Sequence, residues 1–268
     1  MIFDTHIHWD DEAFEADRDE LVAGLPLAGI GCAVNAGCDV PTTEAGIALA
    51  EKYPHIYALA GIHPHAAAGT TDADLARIAE LAKHPKIVGI GEIGLDYHYP
   101  ETDKPAQERV FRAQIGIARE LGMPVAVHSR DASADTLAII KAEAADLGGV
   151  IHCYSYSRET AAEYLAMGYY LGIGGVITYK NAKKLIEVAE FAPIEQLVIE
   201  TDAPYLSPEP YRGTRNSSYN LPFVIRKIAE LKGLTEREVE KITWENACRM
   251  YRLPELLNGN AETGVTGA

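Results

Sequence analysis

The segment Asp4-Thr5-His6-Ile7-His8 carries two imidazoles two residues apart. On an extended backbone both side chains turn to one face, where they can grip a single cation. Taken alone, the pair could equally be two hydrogen-bonded structural histidines. Repetition favours ligation, because other short apolar runs end in residues of the same kind: Gly61-Ile62-His63-Pro64-His65, Gly89-Ile90-Gly91-Glu92, Val127-His128-Ser129-Arg130, Ile151-His152-Cys153-Tyr154 and Ile199-Glu200-Thr201-Asp202. Glu92 lies between Gly91 and Gly94, and its two oxygens can bridge two cations. Buried without a cationic partner, it would be costly. His128 and His152 could each be a satisfied core histidine, yet both stand at such run ends. Asp202 can ligate a metal and orient an attacking water. The expected metal ligands are therefore His6, His8, Glu92, His128, His152 and Asp202.

Nitrogen and oxygen donors without thiolate suit Zn²⁺, Mn²⁺ or Mg²⁺. Six ligands exceed one tetrahedral centre and match two divalent ions sharing a carboxylate. Two ions ~3.5–4 Å apart activate a water and stabilise both the attacking and leaving oxygens of a phosphoester. His63 reads as a substrate contact or a hydrogen-bond donor to the leaving group, against the alternative of a structural histidine before Pro64. His65 reads as a solvated loop residue, and His55, His84 and His98 receive no role.

Residues this far apart in the chain need a scaffold that gathers run ends. Eight apolar runs read as strands: Ile2 to His6, Cys32 to Asn35, Ile56 to Ile62, Ile87 to Glu92, Pro124 to His128, Val150 to His152, Tyr169 to Ile173 and Leu197 to Glu200. Helical segments separate them. Glu12 to Ala28, Thr42 to Tyr53, Asp72 to Lys83, Pro105 to Leu121, Ala132 to Asp146, Arg158 to Met167 and Ala182 to Phe191 alternate with the strands. Val110, Phe111, Gln114, Ala118 and Leu121 give the clearest helical spacing. Two further helices, Leu221 to Lys232 and Glu236 to Tyr251, follow the last strand, the second opened by Thr235 and Glu238 at capping-box spacing. This alternation predicts an α/β fold, a single (β/α)8 TIM-type barrel over residues 1–257 with a flexible tail at 258–268. In such barrels all strand ends open on the face that hosts active sites.

The 268 residues fit one barrel of ~250 residues. No run approaches the ~20 apolar residues needed to span a bilayer, and the N-terminus shows no secretion signal. Cys32, Cys38, Cys153 and Cys248 form no framework spacing. These features predict a cytoplasmic protein with reduced thiols. The formal net charge of −15 argues against a long nucleic-acid track. It leaves room for a substrate with one or two phosphates where bound metals reverse the local sign. With no obvious apolar face, a monomer without an obligate partner is the simplest expectation.

In its motifs the chain resembles the TatD family of metal-dependent deoxyribonucleases, a branch of the amidohydrolase-like barrels. The matching residues run from Asp4 to about Arg249. They include the segments above, Gly91-Glu92-Ile93-Gly94-Leu95-Asp96-Tyr97, Gln107, Phe111 and Gln114, Tyr179-Lys180-Asn181-Ala182, and Glu200-Thr201-Asp202-Ala203-Pro204-Tyr205-Leu206. The resemblance implies one ion on His6, His8, Glu92 and Asp202 and a second on Glu92, His128 and His152. It also implies phosphodiester hydrolysis in DNA, commonly by an exonuclease working from the 3′ end. Two departures, Tyr156-Ser157 where the family carries Gly-Ser and Ser217-Ser218 where it carries Glu-Pro, spare the ligands and fall where the substrate mouth is expected.

The implied catalytic residues are Asp202, Glu92 and His63: a water acidified by the metals loses a proton with help from Asp202, and His63 assists the leaving oxygen. Arg130, Lys180, Arg212 and Arg215, individually ordinary surface charges, together form an expected phosphate clamp for a DNA strand end or short single strand. Tyr154, Tyr156 and Tyr205 could stack on a base, or simply pack helix on strand. The competing reading is a metal-dependent hydrolase of amide, lactone or other carboxyl-ester bonds. A non-catalytic barrel would lack a ligand, and none is missing.

Overall fold

The computed structural model describes residues 1–259. Eight parallel strands form one sheet in chain order: β1 (Ile2–Ile7), β2 (Ile30–Ala36), β3 (Ile56–Ala60), β4 (Ile87–Asp96), β5 (Val125–Arg130), β6 (Gly149–Ile151), β7 (Tyr170–Ile173) and β8 (Leu197–Ile199). The ring is drawn together between its first and last strands by scattered bonds. Thr5 Oγ1 donates to the Ile199 carbonyl at 3.0 Å, the Asp202 amide to His6 at 3.0 Å, and the His8 amide to Ala203 at 2.9 Å. This is the (β/α)8 architecture expected from the alternation of runs.

The outer ring comprises α1 (Arg18–Gly24), α2 (Val40–Lys52), α3 (Asp72–Leu81), α4 (Lys104–Leu121), α5 (Ser133–Glu143), α6 (Arg158–Ala166), α7 (Lys183–Phe191) and α8 (Leu221–Lys232). Then come α9 (Glu236–Met250) and the short α10 (Pro254–Gly259). Thr235 and Glu238 form the reciprocal cap of α9 that their spacing predicts. No helix among the described residues is long and apolar enough to cross a membrane.

Three expectations need correction. The helix expected over Glu12–Ala28 is a 3-10 turn (Glu12–Phe14), α1, and a second 3-10 turn (Leu25–Ala28). Asp11 caps the first turn through its side chain, and Pro26 opens the second. Each device ends or restarts a helix rather than prolonging it. Strand β4 runs four residues beyond Glu92 to Asp96, wholly buried. Finally, α10 takes in Asn258 and Gly259 of the expected tail; the rest of that tail lies outside the described residues.

Two apolar layers hold the frame. One lies between sheet and helices. The other fills the barrel, with Phe3, Val34, Leu59, Val88, Ala126, Val150 and Val198 from seven strands meeting Trp244, Ala247, Cys248, Met250 and Tyr251 of the α9 segment. The rings of Phe3 and Trp244 lie 5.5 Å apart, and Tyr251 Oη donates to the Thr5 carbonyl at 2.9 Å. Helix α9 thus plugs the N-terminal end of the barrel, leaving polar strand ends to gather at the other.

Candidate metal centre

The polar ends of β1, β4, β5, β6 and β8 converge on Glu92. Its Oε2 lies 3.3 Å from His6 Nε2 and 3.6 Å from His8 Nε2. Its Oε1 lies 2.7 Å from His128 Nδ1, 3.1 Å from His152 Nε2 and 3.6 Å from His63 Nε2. Asp202 Oδ1 joins the first group, 3.4 Å from His8 Nε2 and 4.0 Å from His6 Nε2. One buried carboxylate therefore presents an oxygen to each of two histidine groups.

Local backbone makes this convergence possible. Strands β6 and β8 stop after three residues. Just past them, Cys153 and Asp202 take left-handed backbone, φ 47° and 55°. That conformation costs about 1–3 kcal/mol outside glycine and is characteristic of functional sites. At Gly94, φ is +147° and an added Cβ would collide with the His128 carbonyl, so glycine lets β4 and β5 approach where Glu92 and His128 must meet.

The second nitrogen of each imidazole decides what the first can do. His8 Nδ1 is 3.2 Å from the Ala36 carbonyl, His128 Nε2 is 3.2 Å from Asp96 Oδ2, and His152 Nδ1 is 3.3 Å from Glu200 Oε1. The Ala36 carbonyl fixes the His8 proton on Nδ1 and turns the Nε2 lone pair toward the centre, whereas His128 sits between two carboxylates, Asp96 and Glu92, and His152 Nδ1 lies beside Glu200 without a hydrogen bond to it. Neither nitrogen of His6 has a hydrogen-bond partner, although the ring is fully buried. An orphaned buried nitrogen beside a carboxylate fits a missing cation.

His63 is wired the other way. The His65 backbone amide donates to His63 Nδ1 at 3.2 Å. The neutral ring then carries its proton on Nε2 and faces the cleft as a donor. Burial pushes its pKa down to about 3, which keeps it neutral. Three trios bring candidate ligand atoms within 4.8 Å of one another: His6, His152 and Asp202; His6, His8 and Glu92; and His63, Glu92 and His128. The last is the weakest, since His63 lacks a lone pair on the side that faces the centre.

Around these groups stands a carboxylate layer. Burial pushes the Glu92 carboxyl up, but the imidazoles of His152, His63 and His6 and the His128 hydrogen bond more than offset it, holding it well below the usual range. Asp96 Oδ2 takes His65 Nε2 at 3.0 Å as well as His128. Glu200 Oε1 also accepts from the Cys153 amide. Asp4 accepts from the Thr201 amide at 3.0 Å, Thr201 Oγ1 at 2.7 Å and Ser218 Oγ at 2.6 Å, while burial raises its pKa to about 7. Asp96, Glu200, Asp4 and His65 received no role from the sequence. Strand alternation was the available signal: Asp4 precedes His6 by two residues, Glu200 precedes Asp202 by two, and Asp96 follows Glu92 by four.

The structure does not assemble the expected phosphate clamp. Of its four members Arg130 alone lines the cleft, a cavity of about 1110 Å³, with its guanidinium 5.8 Å from the Tyr99 ring centre. Arg215 is bound by Asp17 at 2.6 Å and donates to the Ala13 carbonyl. Arg212 lies over Tyr179, and exposed Lys180 stands outside the cleft lining. Sequence spacing could not foresee Arg215's partner, nearly two hundred residues away.

Tyr154 is buried and Tyr156 half-buried, its hydroxyl bonded to Ser129 Oγ and the Ala132 amide; Tyr205 is 55% exposed at the cleft. Ser218 is buried against Asp4, so of the two departures only Tyr156 sits near the cleft, beneath the turn that carries Arg130. Cys38 and Cys153 are free thiols on the cleft wall; Cys32 and Cys248 are free and buried.

A family model described as TatD related DNase matches residues 3–252. The uncharacterized metal-dependent hydrolase YabD of Bacillus subtilis is 43% identical over 254 residues, 94% of this chain and 100% of that protein. The 3′-5′ ssDNA/RNA exonuclease TatD of Salmonella typhimurium is 33% identical over 258 residues, 94% of this chain and 99% of that one. The crystal structure of the Escherichia coli TatD homolog YJJV superposes with a TM-score of 0.89 at 28% identity, covering 94% of this chain and 98% of that one. The chain belongs to the TatD-related DNase family and is a metal-dependent hydrolase of that family.

Proposed function

We propose that the chain hydrolyses phosphodiester bonds of nucleic acid at a centre of two divalent cations that share Glu92. The observation that carries this reading is the division of Glu92 between two ligand groups, Oε2 toward His6 and His8 and Oε1 toward His128 and His152. His6, His8, Glu92 and Asp202 would hold one ion; Glu92, His128 and His152 the other. When bound, the ions acidify a water and neutralise charge on the phosphoryl oxygens.

The chain's own residues supply the rest. Asp202, at the open side of the first group, accepts the proton of the attacking water. The new bond forms from water oxygen to phosphorus as the bond to the leaving oxygen breaks. His63, neutral and with Nε2–H turned inward, donates a hydrogen bond to the leaving oxygen rather than surrendering its proton. Arg130 holds a neighbouring phosphate. A phosphate-bearing substrate is supported by this guanidinium and by the relative named as a single-strand exonuclease.

The test is hydrolysis of defined oligonucleotides by metal-loaded protein, Glu92→Ala and Asp202→Asn, alongside amide and lactone substrates. Oligonucleotide cleavage by the parent protein, lost in both variants, is the expected result. Equal residual cleavage in all three, or turnover of lactones alone, would overturn the reading.

A further inference from the structure

The cleft is electrically lopsided. Asp10, Asp11 and Glu12 follow β1, and Asp39 follows β2; all four line the cleft. None pairs with a lysine or arginine among the described residues. Asp10 accepts from Asn35 Nδ2, Asp11 from the Ala13 amide and Tyr205 Oη, and Asp39 from Thr42. Arg18, at the start of α1, bonds the backbone carbonyls of Trp9, Asp10 and Asp11 rather than a carboxylate, so one positive charge stands behind four negative ones. Arg130, the lysine or arginine that does line the cleft, ends β5. In an eight-stranded ring ordered β1 to β8, β5 stands opposite β1. Tyr99, after β4, is 46% exposed beside Arg130 and offers a flat face there.

A phosphodiester chain laid across the metal centre must send one flank toward each lip. The flank over Arg130 and Tyr99 meets a cation and a ring, so a phosphate and a base are favoured there. The flank over the β1–β2 lip meets four carboxylates against the single charge of Arg18, a net negative lip that repels a further phosphate. From this asymmetry, and resting on the phosphodiesterase reading above, we infer that the site takes a chain terminus ending in a free hydroxyl, lodged against the Asp10, Asp11, Glu12 and Asp39 lip, and rejects a terminus bearing a phosphate. The carboxylates act as specificity determinants, and Tyr205, held upright by Asp11, is the ring against which the terminal nucleoside rests.

Four single-stranded oligonucleotides of one sequence test this, carrying hydroxyl or phosphate at the 3′ end and at the 5′ end in every combination. A phosphate on the attacked end slows release of the first nucleotide roughly tenfold or more, whereas a phosphate on the other end does not. The double variant Asp11→Asn, Glu12→Gln keeps the shape of the lip and removes two charges; the oxygen of the new side-chain amide at position 11 can still accept from the Ala13 amide, while its nitrogen donates to Tyr205 Oη. It narrows the hydroxyl-to-phosphate ratio, as does raised salt in the parent protein, because exposed charges are screened. Equal rates on all four substrates, or a ratio unmoved by the double variant and by salt, overturns the inference while leaving phosphodiester hydrolysis standing. Cleavage of none of them overturns the phosphodiesterase reading and this inference with it.

Discussion

Each imidazole around Glu92 has a second nitrogen, and that atom separates ligands from donors. Glu200 Oε1 lies 3.3 Å from His152 Nδ1, on the side of the ring away from Glu92. Glu200→Gln should weaken metal binding roughly 10–100-fold, read by calorimetric titration, because partners of this kind set ligand basicity. Unchanged affinity would show that Glu200 only packs. Loss of Glu92 should be worse: Glu92→Ala removes the shared ligand, and elemental analysis should find both ions gone. Protonation gives a second check. Burial depresses both His128 and His152, yet Asp96 and Glu92 raise the first above the ordinary histidine value, and Glu200 and Glu92 raise the second well above it. Both shifts favour protonated rings in the metal-free protein, and a cation must displace those protons. Affinity should increase as pH rises through the ordinary histidine range and beyond it, with release of protons measured in buffers of different ionisation enthalpy; pH-independent affinity would contradict this. The six central residues were legible because each ends an apolar run. The supporting layer was not, since a lone Asp or Glu two or four residues along a strand gives no sign of which imidazole it will meet.

Elements place those residues, and the least conspicuous have the largest leverage. Helix α9 is not part of the alternating repeat, but Trp244 against Phe3 closes the barrel floor. Trp244→Ala should cost about 3–5 kcal/mol in denaturant unfolding, the range for a buried large aromatic. A loss under about 1 kcal/mol would mean the floor is held elsewhere. Gly94→Ala should instead disturb the site, since the new methyl meets the His128 carbonyl between β4 and β5. Strand and helix order was readable because apolar runs of three to seven residues alternated with helical spacing. The Glu12–Ala28 segment was misread because its polar and apolar residues keep helical spacing across Asp17, where the chain enters α1 with φ −138°. Pro26 was the visible warning.

The whole molecule is acidic, and the cleft tilts that charge: carboxylates toward β1 and β2, one arginine toward β5. The expected four-cation clamp is not assembled, because Arg215 is claimed by Asp17, Arg212 lies over Tyr179 and Lys180 stands outside the cleft lining. Under the phosphodiesterase proposal, an acidic chain with a divided charge pattern suits a strand end rather than a long duplex. Cations bound only by the folded state also couple the site to global stability. At metal a hundredfold above the dissociation constant, unfolding should become harder by roughly 2.7 kcal/mol, and a chelator should reverse it. The most direct test of the account is anomalous scattering from crystals grown with Zn²⁺ or Mn²⁺. It predicts two peaks, one on each side of the Glu92 carboxylate, the first within reach of His6, His8 and Asp202 and the second within reach of His128 and His152. A single peak, or peaks away from Glu92, would contradict it.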